Sequence, residues 1–579
     1  MRRPLHRPAG AAGGSRCAGR RARGHAHRRH GQHLARTRGG GGRRHALRHP
    51  RARRARARRV RRRAAGDPPV RRDWLPAVVL SALGIAVRLL VATRRDGIEV
   101  DGILYLANAA ALAHDRVAFN PVHQPLYSLV LAPIVALAAD PEWAARVVAA
   151  VAGGLWVVPT LWLARETTDA PVAWPAGLLV ALMPAAVEAG TRVLPDTLLV
   201  LLVVTTLAAA MWAARTASPL AAAVTGAAGA LAALAHPVGV GFLALAVALL
   251  VLARRWTPPA WPAPRPLVSA GAVALAALLV LGPQILFVRQ LTGAWSWTGK
   301  RLGYTLTFSE HVGAERPVAA AERLTAEVRS EDAPPSMLAY AWRSPAELVK
   351  RVVVNLHLVD KYTLPGLLQS GGLVLIAFGF VHLRVRRNPP EWVLPAALAP
   401  LAGLLLFNVE SRYFVPAIPV LAIIAALGVV RLGRARAAGE ARRRVTPDAV
   451  VLAVVLLSFV PWLARPWFRE DPSGVDKTAG RWLATAGVGP VFLGRYPVIG
   501  YYAGARAIPL GALALDEALA AGRRQGARFL VVDSERLPMI RPDLLPLLAG
   551  PGRADMRLVK VLEDRAGRRV LIYRIAGDA

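Results

Sequence analysis

Long apolar runs recur along this chain from residue 74 to residue 464. A helix that crosses the hydrocarbon core of a bilayer needs about 20 predominantly apolar residues, and lengths from about 17 to 25 are tolerated. Because the 579-residue chain is 54% hydrophobic and concentrates apolar residues in such runs, we predict a polytopic α-helical membrane protein. The candidate spans lie near residues 74–92, 144–164, 170–187, 197–214, 219–235, 237–253, 267–288, 364–383, 392–407, 413–430 and 448–464.

The first 72 residues have a different composition. They contain 25 Arg, no Lys and a single acidic residue, Asp67, and so contribute +24 to the formal net charge of +38. Arg mixed with Ala, Gly, His and Pro cannot form a packed core, so we predict a disordered cytoplasmic tail. The tail would attract any polyanion, but it lacks aromatic residues and helical periodicity, and no nucleic-acid partner is expected. An extension outside the mature protein is the alternative.

A twelfth apolar run, 125–139, decides the predicted topology. Cytoplasmic loops are enriched in Lys and Arg. Basic clusters that begin at Arg254, Arg384 and Arg431 share one side, because an even number of predicted spans separates each from the next. They share the cytoplasmic side with the tail only if 125–139 does not cross, so we predict a re-entrant or interfacial helix on the outer face. The chain then has about 11 spans in the plasma membrane.

This topology places the N-terminus in the cytoplasm and three longer segments outside. The predicted membrane domain covers 73–464 and includes the external loops 94–143 and 289–363, and 465–579 forms a small extracytoplasmic α/β domain. Apolar patterns in that domain predict strands and helices, with a hairpin turn at 565–567. The strands are expected at 491–493, 527–532, 558–562 and 570–575, and the helices at 516–526 and 542–548.

Several groups of polar residues fall on the predicted outer face. Ionisable groups at membrane level are costly and are therefore candidates for function. In the first loop, Asp101 and Tyr105 are spaced so that they share one face of a helix, and His123 follows further along. The alternative for Asp101 is a structural one, as the residue that caps the start of that helix.

The other outer-face groups follow later spans. One contains Arg192 and Asp196, and Asp196 could simply cap the next helix. Another contains Glu410, Arg412 and Tyr413, where Arg412 could be only an interfacial anchor. His236 lies in a tight turn, where a structural role is the alternative. Carboxylates that face arginines on one side of a helix bundle suit an anionic, lipid-borne substrate.

The order of these motifs resembles the GT-C class of membrane glycosyltransferases, in the style of the protein O-mannosyltransferases and aminoarabinose transferases. The motifs are Asp101-x-x-x-Tyr105, His123-x-Pro-Leu-Tyr, Arg192-x-x-x-Asp196-x-Leu and Arg412-Tyr413-x-x-Pro. The resemblance spans about residues 74–464. Three positions depart from it: Gly102 stands where many relatives have Glu, Gln124 stands for Pro, and His236 stands where a permanent cation is common.

The resemblance implies a sugar donor carried on a polyprenyl phosphate and an acceptor that is a lipid, a glycan or a protein. It implies that Asp101 is the general base of an inverting single displacement, with Asp196 orienting Arg192 or the acceptor. Arg412, with Arg192 as the second candidate, would stabilise the leaving phosphate. Tyr105 and His123 would bind sugar or phosphate, and Glu410 and Tyr413 are further substrate-binding candidates. No cofactor or metal is required, although a divalent cation stays an alternative.

Two other functions also fit a chain with many spans. A transporter or lipid flippase would need membrane-level charges too, but such proteins often show internal repeats, and none is evident in this sequence. A non-catalytic envelope assembly protein could use the C-terminal domain for binding. The spatial relation of three residues separates these hypotheses, because an enzyme requires Asp101, Asp196 and Arg412 to lie within reach of one another.

Overall fold

The chain is helical from residue 74 to the start of a C-terminal sheet. The computed structural model describes residues 74–576, apart from 115–122, 260, 264, 300–340, 408, 438–446, 469–470, 472, 495, 511–512 and 551. The predicted tail at 1–72 and most of the external loop 289–363 therefore lie outside the described residues.

Fifteen helices precede the sheet region within the described residues. They are α1 (Trp74–Ala92), α2 (Val100–Ala113), α3 (Pro125–Leu137), α4 (Pro141–Leu155), α5 (Val157–Thr167), α6 (Ala173–Leu182), α7 (Pro184–Ala189), α8 (Asp196–Thr216), α9 (Pro219–Ala235), α10 (Gly239–Val251), α11 (Pro266–Thr292), α12 (Pro345–Leu358), α13 (Leu364–Val381), α14 (Ile418–Ala437) and α15 (Pro447–Phe468). Four-residue helices and 3₁₀ or π turns lie between some of them, at 170–172, 253–256, 359–363, 389–406 and 411–417.

The helix starts follow from the local sequence. The Asp140 carboxylate accepts a hydrogen bond from the Trp143 backbone N–H at 3.0 Å, and Pro141 occupies the first helical position of α4. Ser218 plays the same part for α9, ahead of Pro219. Proline suits this position because the N–H that it lacks would have no partner inside the helix.

All eleven predicted spans coincide with helical segments, but their number stays a prediction. Seven of the described segments are long and apolar enough to cross a membrane, or eight if a pair bent by 98° between Pro345–Gln369 and Gly372–Val381 counts as one span. The remaining segments, around α6, α9 and α10, contain 10 to 17 residues. The polytopic α-helical class is confirmed.

Two predicted spans are not continuous α-helices. The segment 170–187 breaks at Met183, because Pro184 has no N–H to continue the hydrogen bonds of α6. The segment 392–407 consists of short α and 3₁₀ turns between Pro389 and Leu406, a stretch that contains several prolines. Helical periodicity in the sequence does not reveal such breaks when the apolar character continues across them.

The run 125–139 forms α3, a helix of 13 residues. At about 1.5 Å per residue, a helix of this length spans roughly 20 Å, less than the ~30 Å hydrocarbon core. Tyr127 and Leu131 of α3 are buried in one cluster with Tyr105 and Leu106 of α2. The predicted first external loop therefore contains a pair of packed short helices.

The centre of the helical region is the segment Ser411–Leu432, in which 94% of the most apolar 18-residue stretch is buried. By contrast, the corresponding stretches of Pro266–Thr292 and Ala449–Phe468 are only 22% and 17% buried, so these two helices present their apolar side chains outward. Small residues allow close approach elsewhere: a Cβ on Gly226 of α9 would lie 2.3 Å from the Val273 carbonyl oxygen of α11.

The C-terminal part is a six-stranded mixed sheet flanked by helices, which confirms a small α/β module there. Its strands are β1 (Val491–Leu493), β2 (Arg506–Ile508), β3 (Phe529–Asp533), β4 (Gly552–Arg553), β5 (Met556–Glu563) and β6 (Arg569–Ile575), in the order β2-β1-β3-β6-β5-β4. Helices α16 (Gly474–Thr485), α17 (Pro497–Ala503) and α18 (Leu515–Arg524) complete it. β1 pairs with β2 and β3 in parallel, and the other pairs are antiparallel.

All four predicted strands are present, and the predicted hairpin turn has Gly567 at φ +86°. The predicted helix 542–548 is a 3₁₀ helix, and the short strands β2 and β4 were not predicted, since two or three residues carry too little pattern. Residues 66–579 form one compact unit that joins the helices and the sheet, so the boundary between 464 and 465 stays a prediction.

Candidate active site

Asp101 lies in the first turn of α2, as the second residue of the helix, and does not occupy the cap position. Glu99 occupies the cap position, and its side chain makes no capping hydrogen bond. The Asp101 Oδ2 atom instead lies 2.8 Å from Nη2 of Arg412, more than 300 residues away in sequence. The alternative in which Asp101 is only a helix cap is therefore wrong.

Arg412 connects three side chains around a short 3₁₀ helix, Ser411–Ala417. In addition to Asp101, its Nε atom lies 2.6 Å from the Glu410 carboxylate, and its Nη2 donates to the Tyr413 hydroxyl at 3.3 Å. The guanidinium also lies over the Tyr413 ring, 5.1 Å from its centroid. These contacts fix the orientation of the Arg412 guanidinium. An arginine that only anchored the chain at the membrane interface would not need such contacts.

Asp196 begins α8, and only 5% of its surface is exposed. Pro195, not Asp196, occupies the cap position of this helix, so the capping alternative is wrong for Asp196 as well. The charges that act on its carboxylate are those of Arg412, Arg192, Asp101 and Glu99. The structure thus brings Asp101, Asp196 and Arg412 together, although they come from three separate parts of the chain.

Arg192 belongs to a neighbouring set of charges. Its Nη2 lies 2.5 Å from Glu188 and its Nε lies 3.8 Å from Glu99, and Arg95 also contacts Glu188, at 3.1 Å. Burial alone would raise the pKa of Glu188, but the two arginines outweigh that effect and lower it. Both Arg192 and Arg95 therefore rest on a carboxylate that stays ionised.

Aromatic side chains form one wall of the site. The Tyr105 ring meets the His123 ring edge-on at 5.2 Å and the Tyr127 ring at 5.4 Å. Burial, followed by the charges of Asp101 and Asp196, raises the pKa of the Tyr105 hydroxyl, which keeps it a hydrogen-bond donor. Tyr105 and Asp101 lie on α2, Tyr127 lies on α3, Asp196 begins α8, and His123 lies just before α3.

His236 approaches the site through Tyr413. The two rings are 5.4 Å apart, tilted by 38°. His236 Nδ1 also accepts a hydrogen bond from the Val238 backbone N–H, at 3.3 Å. The histidine therefore shapes its turn, as the structural alternative holds, and also supports the ring next to Arg412.

Gly102, which departs from the resembled motif, lies against the loop that carries Arg192. A Cβ at this position would be 2.8 Å from the Val193 carbonyl oxygen and 2.9 Å from the Ile98 side chain. No side chain fits here without a shift of the backbone. The departure at position 102 thus has a steric reason, because α2 and the loop before α8 approach each other closely.

Arg95 was not among the residues selected from the sequence, and Gln124 and Tyr127 were named only as part of the stretch that begins at His123. Neither amide atom of Gln124 nor the Tyr127 hydroxyl has a hydrogen-bond partner in the part of the chain that the structure describes, and both residues are buried. Buried polar atoms normally have partners, so Gln124 and Tyr127 are further candidates for substrate binding. A signal was present for Arg95, which follows the first span on the predicted outer face, against the usual distribution of basic residues.

The donor set does not suit a carboxylate-held cation. Asp101 is engaged by Arg412, and the described residues contain no group of three or more His, Cys, Asp or Glu side chains that could hold a metal ion. The metal-free site stays a prediction.

Comparison with known proteins identifies similar chains. Residues 122–282 match the family described as dolichyl-phosphate-mannose-protein mannosyltransferase. The structure of ArnT from Cupriavidus metallidurans bound to undecaprenyl phosphate is similar over 86% of this chain and 97% of that one, with a TM-score of 0.53 and 16% identity. No curated protein sequence matches significantly.

Two structures from Archaeoglobus fulgidus are also similar. One is an oligosaccharyltransferase tethered with an acceptor peptide containing the NVT sequon, with a TM-score of 0.50 and 14% identity over 89% of this chain and 75% of that one. The other is the oligosaccharyltransferase AglB in complex with an inhibitory peptide and a dolichol-phosphate, with a TM-score of 0.52 and 15% identity over 88% and 75%. At these identities the likeness establishes a shared fold.

Proposed function

The chain has the fold of the GT-C class of membrane glycosyltransferases, and from this premise we propose that it transfers a sugar from a polyprenyl-phosphate donor to an acceptor on the outer face of the membrane. The acceptor is a lipid, a glycan or a protein. The observation that carries this proposal is the 2.8 Å ion pair between Asp101 and Arg412, with Asp196 in the field of both.

This ion pair supports the proposal because it joins a carboxylate, which can accept a proton, to a guanidinium, which can bind a phosphate. A transfer from a sugar phosphate needs a carboxylate that accepts the proton of the acceptor hydroxyl, and a cation near the oxygen that leaves. Arg412 and Asp101 supply these two groups at one point. A transporter would use such charges along a path through the membrane, whereas here they converge with aromatic side chains at one end of the bundle.

In the proposed reaction, the acceptor oxygen attacks the anomeric carbon while the bond from that carbon to the phosphate oxygen breaks. The acceptor proton passes to the Asp101 carboxylate, and the electron pair of the broken bond stays on the polyprenyl phosphate. A single displacement inverts the configuration of the anomeric carbon. Arg412 stabilises the negative charge that grows on the phosphate, and the polar tips of Tyr105 and His123 bind the sugar or the phosphate.

Arg412 also controls how available the base is. In the structure its guanidinium holds the Asp101 carboxylate, which therefore has an ion-pair partner before any substrate arrives. The donor phosphate is a diester with one negative charge, like the carboxylate, and its two free oxygens can accept the guanidinium's N–H groups in place of Asp101. Binding of the donor would then release Asp101 to take the acceptor proton.

The kind of donor is supported by the similar structures, since ArnT is bound to undecaprenyl phosphate and AglB to a dolichol-phosphate. Both are polyprenyl phosphates. The matched family is described by a dolichyl-phosphate-linked mannose donor and a protein acceptor. We propose that the sugar transferred is a hexose or a pentose.

The test is sugar transfer by the purified protein in lipid vesicles, with a radiolabelled polyprenyl-phosphate sugar and an envelope extract as the source of acceptors. We expect Asp101→Asn to lower the turnover by roughly 10²- to 10⁴-fold, the usual contribution of a positioned general base. Asp140→Asn is the matched control, because Asn caps a helix as well as Asp does and turnover should stay normal. Normal turnover in Asp101→Asn at equal membrane levels would reject Asp101 as the base.

A further inference from the structure

Residues 94–99 form the segment that leads from α1 into α2 and so determines where Asp101 sits. We call it the lead segment. It contains no regular secondary structure apart from the turn that ends α1. A short irregular segment has no helical hydrogen bonds to hold it, so its position depends on contacts from elsewhere in the chain.

Arg146 of α4 holds the lead segment from one side. Its guanidinium donates to the carbonyl oxygens of Ala92 at 3.3 Å, Arg95 at 2.5 Å and Gly97 at 2.6 Å. It also pairs with Glu142, one helical turn earlier, at 2.6 Å. Arg146 is almost wholly buried, so its guanidinium is paired with these backbone carbonyl oxygens and with Glu142 and not with water.

The C-terminal region completes this arrangement through Glu142. The Tyr502 hydroxyl donates to Glu142 Oε2 at 2.8 Å, and the Lys477 ammonium lies 3.2 Å from the same atom. Burial and the Glu142 charge both raise the pKa of Tyr502, so its hydroxyl remains a donor. The carboxylate that orients Arg146 is thereby held from the far end of the sequence.

The C-terminal region also touches the lead segment directly. The Asp96 backbone N–H donates to the Asp471 carboxylate at 3.2 Å, and a Cβ on Gly97 would be 2.0 Å from Ser473 Cβ. Val498 of α17 is buried in the same cluster as Ile98 and Tyr105. The lead segment is thus enclosed between α4 and the residues around 471–502.

We propose that the C-terminal region positions the proposed base: Lys477 and Tyr502 fix Glu142, Glu142 fixes Arg146, and Arg146 fixes the lead segment and thereby Asp101. This inference rests on the proposed function for its catalytic consequence. It assigns Lys477, Tyr502, Glu142 and Arg146 as positioning residues that touch neither substrate nor reacting atoms. The C-terminal region accordingly has a part in transfer although it contributes no group to the reaction.

The first test measures the lead segment itself, by hydrogen–deuterium exchange of the full-length protein in lipid nanodiscs. The double variant Tyr502→Phe, Lys477→Met removes both donors to Glu142 while it keeps the ring and the aliphatic stem. Hydrogen bonds to charged groups are worth about tenfold or more each in a local equilibrium. We therefore expect the amides of residues 94–97 to exchange roughly tenfold faster or more.

The second test measures transfer by the same variant. We expect kcat to fall by roughly tenfold to a hundredfold, since a displacement of about 1 Å can cost that much. The KM for the donor should stay within about twofold, because Arg412 is not displaced. Lys477→Arg, which keeps the charge, should restore most of the loss from Lys477→Met.

The matched control is Tyr573→Phe with Lys560→Met, the same substitutions in the same sheet region. The Tyr573 hydroxyl donates to the Leu547 and Gly550 carbonyl oxygens, away from Glu142. Unchanged exchange at residues 94–97 in the test variant would overturn the proposal, and so would faster exchange with normal kcat, or an equal effect in the control. If the wild-type protein transfers no sugar but its lead segment responds as expected, the proposed function fails and the structural coupling stands.

Discussion

Arg412 is the residue on which most of the site's contacts converge. Its guanidinium engages Asp101, Glu410 and Tyr413 at once. Lys would keep the positive charge but replace the planar fork with a single ammonium group. The contribution of this residue therefore depends on geometry as well as on charge, and a conservative substitution can separate the two.

We expect Arg412→Lys to lower kcat by roughly 10²- to 10³-fold, the usual loss when one donor to a developing negative charge is removed or displaced. Transfer from the lipid-linked donor is the measurement. Arg289→Lys is the control, because Arg289 lies at the end of α11 over Trp295 and away from Asp101. Turnover near the wild-type level in Arg412→Lys would show that charge alone suffices at this position.

Gly102 provides a second prediction at the scale of one residue. Gly102→Ala places a methyl group 2.8 Å from the Val193 carbonyl oxygen, and such overpacking typically costs about 1–3 kcal/mol. We expect a lower midpoint of thermal unfolding in detergent. In Gly271→Ala the new methyl group has no atom within 4 Å, and the helix propensity of Ala should stabilise by up to about 1 kcal/mol. Equal midpoints in the two variants would contradict the steric explanation.

How far the sequence predicts the site can be judged at these residues. Asp101, Asp196 and Arg412 could be selected because ionisable groups near the membrane are costly. The contacts among these three residues could not be predicted, because the residues are far apart in sequence and only tertiary packing brings them together. Gly102 has no space for a side chain, and the Gln124 amide has no hydrogen-bond partner among the described residues. Both facts depend on how distant segments of the chain pack, which one sequence does not reveal.

At the scale of elements, the break between α6 and α7 is held by a buried arginine. Arg88 of α1 is fully buried and donates to the Val180 and Ala181 carbonyl oxygens at 3.2 and 3.0 Å. Pro184 leaves the Val180 carbonyl without its usual helical partner. In a bilayer no water would replace that partner, so Arg88 supplies the hydrogen bonds that the break in the helix takes from these carbonyl oxygens.

Arg88→Met tests this role, since Met has a similar length and no donors. Leaving buried carbonyl oxygens unsatisfied costs about 1–3 kcal/mol for each, so the midpoint of thermal unfolding should fall by several degrees. Arg254→Met, on an exposed residue, should change stability by less than about 0.5 kcal/mol. An Arg88→Met protein as stable as Arg254→Met would show that the carbonyls find other partners.

The elements themselves were predicted well where their patterns are long. All eleven apolar runs are helical, and β1, β5 and β6 lie within a few residues of the predicted strands. The failures have local causes: Pro184 interrupts one helix, prolines divide 389–406 into short turns, and β2 is too short for a pattern to emerge. Apolar character predicts burial more reliably than it predicts an unbroken helix.

At the scale of the whole molecule, topology is the prediction with the widest consequences. If α3 lies on the outer face without crossing, the C-terminal sheet is extracytoplasmic and the loop around Arg384 is cytoplasmic. We therefore expect a phosphatase fused after Ala579 to be active and one fused after Arg387 to be inactive. The opposite pattern would mean that α3 crosses, and would place Asp101 and the C-terminal sheet on opposite sides.

That last outcome would conflict with the contacts between residues 94–99 and the C-terminal region, so the two observations check each other. The positive-inside distribution and the packing of Asp96 against Asp471 are independent of one another. Both require the first loop and the C-terminal sheet to be on the same side. The sequence could supply only the first of these arguments.

The contact between Asp96 and Asp471 also has a consequence for biosynthesis. The two residues are 375 positions apart, and ribosomes add roughly 5 to 20 residues per second, so about 20 to 75 s pass between their synthesis. During that interval the first helices can enter the membrane while the first loop lacks its C-terminal contacts. A chain released by proteolysis or a premature stop after Arg412 but before Asp471 would carry the proposed base but would never acquire the C-terminal contacts that hold the segment leading to it.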